Sequence, residues 1–199
     1  EAVAGLEGHD RALERAVERG ELDLAVFIQT VDDAFGPTLT HETLAQHPYR
    51  VIAGRDHPLA RGAAPSTAQL AAAAWVMGAN AGDIEQAWRE AFAAAGLAPP
   101  QPELRTTSVE FCRGVLQRGR HLSVLPTGLL AEDLAAGRLV ALRASGFDWV
   151  RPVALVYRAQ SIQAPAVLAT VRALHRVVER AGGNAGAARD DRPTAAARS

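Results

Sequence analysis

Leu104-Arg-Thr-Thr-Ser-Val-Glu-Phe-Cys-Arg-Gly-Val-Leu-Gln-Arg-Gly-Arg-His-Leu-Ser-Val-Leu-Pro126 is the stretch that decides the fold. It reads as a strand, a capped helix and a second strand, closed by proline. Thr107 and Glu110 stand in the T-x-x-E spacing of a capping box, with the helix beginning just after Thr107. Thr107, Ser108 and the first helical N–H groups then sit past the carboxyl end of a strand. In an open α/β sheet ligands bind at that edge, and helix N-termini favour anions.

The same alternation extends in both directions. Residues 9–19 predict an amphipathic helix with Leu13, Ala16 and Val17 on its apolar side and Gly20 as its stop. Leu22 to Ile28 is the near-continuous apolar run of a buried strand. Residues 29–41 read as loop, with Asp32-Asp33 and Gly36-Pro37 as turn signals, and Tyr49 to Ala53 as a strand. His57 to Pro65 is a Pro/Gly-punctuated connector and marks a lobe boundary. A short helix over 68–73 and a strand at Trp75-Val-Met77 follow. Over 83–95, Ile84, Ala87, Trp88, Ala91, Phe92 and Ala95 give the cleanest helical period of the chain. Beyond Pro126 come a helix over 127–136 capped by Thr127, strands over 138–143 and 150–157, and a helix over 164–180. Pro152 suggests that the first half of the 150–157 strand lies on an edge. Residues 182–199 are aperiodic Gly, Ala, Arg, Asp and Pro, the composition of a disordered tail. Strands alternating with helices predict an α/β fold with mostly parallel sheets.

Composition narrows the function classes. Hydrophobic content of 48% and charged content of 22% over 199 residues fit an ordinary globular protein. Twenty-one basic residues face 22 acidic ones, for a net charge of −1, and no Lys/Arg-rich stretch offers a nucleic-acid surface. A single cysteine, Cys112, excludes an internal disulfide and fits a reducing compartment. The longest apolar runs fall short of a membrane span.

A search for chemistry returns little. None of the six histidines stands in H-E-x-x-H or H-x-x-x-H spacing, and C-x-x-C, G-x-S-x-G, G-x-G-x-x-G and the P-loop pattern are absent. No catalytic residue, metal site or cofactor is therefore expected. Ser123 and Cys112 read as buried packing residues, and Trp75, Trp88 and Trp149 as core. Asp32-Asp33 reads as a solvated turn. What remains is the set of strand-to-helix turns: Gln29-Thr30, Gly78-Ala79-Asn80, Thr106-Thr107-Ser108 and Pro126-Thr127. If their strands are parallel, they gather hydroxyls and backbone N–H groups on one edge. That is the inventory of a binding site rather than of an enzyme.

The order of these landmarks resembles the effector-binding domain of LysR-type transcriptional regulators over about residues 1–180. Gly20-Glu-Leu-Asp-Leu-Ala-Val26 is similar to that family's helix-end-to-strand signature, and His57-Pro-Leu-Ala60 to the entry into its second lobe. Val109 to Pro126 and Leu129 to Leu142 match the rest of that lobe; Arg151 to Tyr157 and the last helix look like the return to the first. One departure is Gly119-Arg-His-Leu, where the family usually reads Gly-x-Gly. Arg120, near the expected cleft, either helps to hold an anion or points to solvent.

The resemblance implies a two-lobed fold of periplasmic-binding-protein type II. Its first lobe would be built from 1–57 and 152–181 and its second from 58–151, with 182–199 as a tail. The family's domain opens with a strand and helix that would precede residue 1, so the chain is expected to be N-terminally truncated and its first lobe incomplete. A small molecule, more anionic than cationic, would bind between the lobes. Thr107 and Ser108 would contact it first, with Thr106, Asn80, Ala79, Gln29, Thr30, Pro126 and Thr127 around them. The resemblance further implies a cytoplasmic homo-oligomer, dimer or tetramer, that reaches DNA only through a helix-turn-helix domain outside this chain. A transporter's solute-binding protein and an enzyme on the same fold are the alternatives.

Overall fold

The structure, a computed structural model, describes residues 10–28, 38–79, 81–161 and 164–186. They divide into two compact units. One holds 10–28, 38–45 and the described residues from 152 on; the other holds the described residues of 46–151.

In the first unit, helix α1 (Asp10–Glu18) packs on strand β1 (Leu24–Ile28). Gly20 at φ 78° makes the turn between them in a conformation that side-chain-bearing residues seldom adopt. β1 runs antiparallel to β7 (Asp148–Arg158), with Leu24 opposite Tyr157 and Ile28 opposite Val153. One face of this pair joins Ala25, Phe27, Ala154 and Val156 to Val17 of α1. The other joins Leu155 to Val167 and Val171 of α6 (Pro165–Gly186). Alternation buries Ala25 and Phe27 on one face and packs Leu24 on the other, while Val26 stays exposed. α6 continues six residues beyond the expected end at 180. Ala181 and Ala185 favour helix, and Gly182-Gly183 costs about 1 kcal/mol per residue without forbidding it. The rest of the expected tail, 187–199, lies outside the described residues.

The second unit is built around β5 (His121–Pro126). β3 (Ala74–Gly78) lies parallel to it, with Ala74 opposite His121, and β4 (Leu104–Thr106) lies parallel to β3, with Gly78 opposite Thr106. On the other side β2 (Leu39–Gly54) runs antiparallel to β5, with Tyr49 opposite Pro126, and also to β6 (Leu139–Ala141). The α/β class holds, but the pairing is more mixed than the expectation of mostly parallel sheets. Two of the described pairings are parallel and three antiparallel.

The antiparallel share comes from two long strands. β2 begins at Leu39, where loop and a strand of only 49–53 were expected. Its first half, Leu-Thr-His-Glu-Thr-Leu-Ala-Gln-His-Pro, is partly exposed and polar, and so carries little apolar periodicity. β7 likewise starts two residues before the expected 150.

Helices cover both faces of this sheet. α3 (Gly82–Ala94) buries Ile84, Trp88 and Phe92 against Trp75 and Phe147, with edge-to-face ring contacts from 4.9 to 6.2 Å. On the opposite face, Cys112 and Leu116 of α4 (Val109–Gln117) pack on Ile52, Val76, Leu130 and Leu139. The expected helix over 127–136 is instead a 3-10 turn, Thr127–Leu130, followed by α5 (Ala131–Ala135). Thr127 does not cap it; its hydroxyl donates to the Pro48 carbonyl at 3.3 Å. Ser66, ahead of α2 (Thr67–Ala71), makes a complete capping box with Gln69. The S-x-x-Q signature that predicts it is present in the sequence.

Candidate functional site

Because β3, β4 and β5 are parallel, their carboxyl ends open on one edge of the second unit. The structure brings together Ala79, Thr106, Thr107 and Ser108 there: the Ala79 N–H donates to the Thr106 carbonyl at 2.8 Å, joining the two turns. Pro126 and Thr127 end β5 on the same edge. Asn80, Gln29 and Thr30 lie outside the described residues, as does Asp32-Asp33.

The cap of α4 corrects the expected register. Ser108, not Thr107, is the N-cap, and its Oγ accepts from the Phe111 N–H at 3.1 Å. The residue at N3 is then Phe111, which cannot return a hydrogen bond, so no capping box forms. Glu110 instead reaches Arg113 at 3.3 Å. Thr106 Oγ1 accepts from the Ser108 N–H at 3.0 Å. Both hydroxyls thus have an acceptor lone pair engaged by backbone and keep an O–H to donate. Thr107 is exposed and its hydroxyl has no described partner. The edge therefore presents hydroxyl donors of fixed position. Ala79, by contrast, has its N–H already bonded and can offer only its shape.

The charge around this edge is positive. Asp83, in the first turn of α3, accepts from Arg151 Nε at 2.7 Å. Glu85, two positions further along the turn, takes both Arg105 and Arg89. The Arg105 guanidinium, and then that of Arg89, hold its carboxyl down to about 2, against the opposing effect of burial. Arg50 reaches the carbonyl oxygens of Tyr49 and, at 3.5 Å, Trp149. Three guanidinium groups, Arg89, Arg105 and Arg151, thus meet two carboxylates, Asp83 and Glu85, and Arg50 adds a fourth on carbonyl oxygens, while Glu110 and Arg113 in α4 offset each other. Sequence reasoning missed all four, because their strand and helix partners are remote in the chain. His47 also went unnoticed. A side chain at Gly128 would come within 3.2 Å of its Nε2, its Nδ1 is buried without a partner, and burial lowers its basicity.

The opposite edge, where the parallel strands begin, holds a shallow cavity of about 690 Å³ lined in part by His57, Gln69, Gln101, Glu103 and Arg120. Most of its polar side chains have protein partners. His57 Nδ1 accepts from the Leu59 N–H at 3.1 Å and its ring is further bonded to the Arg120 backbone. Glu103 meets both Arg120 and His121. Arg120 therefore stands away from the strand-end turns, with its side chain 71% exposed. Of the two readings of Arg120, the solvent-facing one fits its place, since it directly precedes β5 at the end of that strand away from the turns. Cys112 is buried beside Ser123, and burial pushes its thiol up, as befits an inert packing residue. Among the described residues no three His, Cys, Asp or Glu side chains group into a metal site, and no helix is long and apolar enough to cross a membrane.

The family described as LysR substrate binding domain matches residues 4–179. The HTH-type transcriptional regulator GalR of Pseudomonas putida is 28% identical over 144 residues, which are 72% of this chain and 36% of that protein. The chain thus spans about a third of the length of that relative. The regulatory domain of CcmR from Synechocystis PCC6803, in complex with 2-PG, superposes with a TM-score of 0.68 at 21% identity, covering 84% of this chain and 78% of that one. The CrgA regulatory domain from Neisseria meningitidis gives a TM-score of 0.62 at 23% identity, covering 82% and 78%. These two likenesses establish the fold.

Proposed function

The chain belongs to the LysR substrate binding domain family, and on that premise we propose that it is the effector-sensing part of a LysR-type transcriptional regulator. It binds a small molecule and performs no chemistry of its own. The effector is anionic and binds at the strand-end edge of the second unit, with Ser108, Thr106 and Thr107 as its hydrogen-bond donors. Gln29, Thr30, Asn80, Ala79, Pro126 and Thr127 complete the proposed surroundings. The observation that carries this reading is the pair of hydroxyls, Thr106 Oγ1 and Ser108 Oγ, each fixed by a backbone N–H so that its own proton is free. The excess of guanidinium groups around the same edge selects the sign of the ligand.

An effector with unequal affinity for two arrangements of the regulator shifts the population between them by that difference. The regulator is proposed to act as a homo-oligomer and to reach DNA through a helix-turn-helix outside this chain. The match to GalR, an HTH-type regulator, favours this over a transporter's solute-binding protein. The 2-PG complex of the CcmR domain supports a small ligand for this fold.

A thermal-shift screen of small carboxylates and phosphates, followed by calorimetry with the best binder, tests the proposal. A hydroxyl bond to a charged ligand contributes about 1.5–3 kcal/mol, so Ser108→Ala should weaken binding roughly ten- to a hundred-fold. Thr107→Val should weaken it less. Unchanged affinity in both variants would mean that these residues only terminate the helix.

A further inference from the structure

Arg151 makes fewer hydrogen bonds than the other three arginines at the strand-end edge. Its side chain is 13% exposed, yet its Nε bond to Asp83 is the sole hydrogen bond it makes with the described protein. A guanidinium carries five N–H donors, and no Arg151 nitrogen is among the buried unpartnered atoms, so its terminal amino groups reach solvent and stay available to a ligand. Arg158, at 23% exposure on the same strand, is the useful contrast. One terminal nitrogen donates to the carbonyls of Val17 and Leu22 and the other lies 3.7 Å from the Asp23 carboxylate, so its own unit takes that end of the fork. Arg158 is a structural arginine. Arg151 holds the same kind of fork mostly empty.

Its position gives that fork a use. Arg151 precedes Pro152, which confines it to extended backbone, and it lies on the same face of β7 as Trp149, which packs on the aromatic cluster beneath α3. Asp83 then fixes the guanidinium beside the first turn of α3. α3 begins three residues after Ala79, whose N–H is bonded to the Thr106 carbonyl. The underused guanidinium thus lies beside the first turn of α3, the helix that follows β3, while the hydroxyl donors end the neighbouring strand β4.

We propose that Arg151 is the charge-selecting residue of the effector site: its terminal amino groups take a carboxylate or phosphate oxygen of the ligand. Asp83 is a positioning residue that aims the fork through Nε and competes with the ligand for it. The proposal rests on the effector reading above for the rest of the site. Such a fork selects an acid over its neutral ester or amide, which hydroxyl donors alone discriminate poorly. A planar fork matches two oxygens of one anion, which a lysine ammonium cannot.

Arginine side-chain NMR on the 199-residue chain, titrated with inorganic phosphate at constant ionic strength, tests this. The Arg151 Nε–Hε signal should shift and saturate, while that of exposed Arg118 drifts linearly. Arg151→Gln should weaken the response of the Ser108 amide at least about tenfold, and Arg151→Lys by less, which guards against a fold defect in the neutral variant. Asp83→Asn should strengthen binding, an effect that a merely structural pair would not produce. A linear Arg151 response, or a Ser108 response unchanged in Arg151→Gln, overturns the assignment. Ser108→Ala separates the two readings. If it abolishes the response while Arg151→Gln does not, the effector site stands without Arg151. If Arg151 saturates while the Ser108 amide is silent in every variant, an anion site stands and the strand-end effector reading falls.

Discussion

The two edges of the parallel strands in the second unit are built from similar residue types and put them to opposite uses. At the edge where the strands begin there is a cavity, two histidines withdrawn from water and an ion-pair cluster, and the main polar groups there are engaged by protein. At the edge where the strands end, the hydroxyls of Thr106 and Ser108 retain a donor and Arg151 retains most of its fork. Concavity alone therefore points to a different edge from the one proposed. The informative quantity is donor capacity that folding leaves unused, because a protein satisfies its buried polar groups wherever they serve structure only.

The comparison breaks most severely at Gly54, beside the edge where the strands begin. A side-chain carbon there would lie 2.1 Å from the Leu116 carbonyl oxygen and 3.2 Å from the Gly119 Cα, both backbone atoms that cannot swing aside. Gly54→Ala should cost about 3 kcal/mol by overpacking, read as a lowered thermal midpoint. A midpoint within a degree of wild type would show that this edge is not rigid. Ser108→Ala probes the other edge. It should remove about 1 kcal/mol of stability through the lost cap, a smaller loss than its effect on ligand affinity. Equal losses in both would make Ser108 structural.

The edges should also separate by pH. Burial depresses His57 below the ordinary histidine value of 6.5, so its neutral form belongs to the folded state. Its contribution is present above that value and is lost as pH falls through it. Glu85 is held down to about 2, so its contribution persists until pH falls below the ordinary carboxylate value of 4.5. Hydrogen exchange should therefore rise first around His57 and only at lower pH around the start of α3. The reverse order would contradict the assignment of buried charge. The smallest effect is expected at Arg120, whose exposed pair with Glu103 contributes well under about 1 kcal/mol. Arg120→Ala should leave stability and anion response alike unchanged.

The element order of the second unit was legible because its helices and parallel strands are buried, and burial writes a period into the sequence. Ile84, Trp88 and Phe92 announce α3, and His121 to Pro126 announces β5. The first half of β2 was not legible, since a partly exposed strand that contains Gln46, His47 and Pro48 carries no apolar alternation. At the candidate site the turn residues Thr106 to Ser108 could be read, but not which one caps. Thr107 and Ser108 both suit an N-cap, and the choice falls to Ser108 once Thr106 Oγ1 takes its N–H. Arg151 was illegible for a different reason: its meaning depends on Asp83, 68 positions away, and on the contacts it does not make.

Backbone amide NMR of the 199-residue chain with benzoate, and with benzamide as the neutral control, tests the central claim most directly. The account predicts saturable shifts at Ala79, Thr107, Ser108 and Val109 with benzoate, little response to benzamide, and none with either at Gln69, Gln101 and Gly119. Shifts confined to the cavity residues, or equal shifts with the acid and the amide, would contradict it.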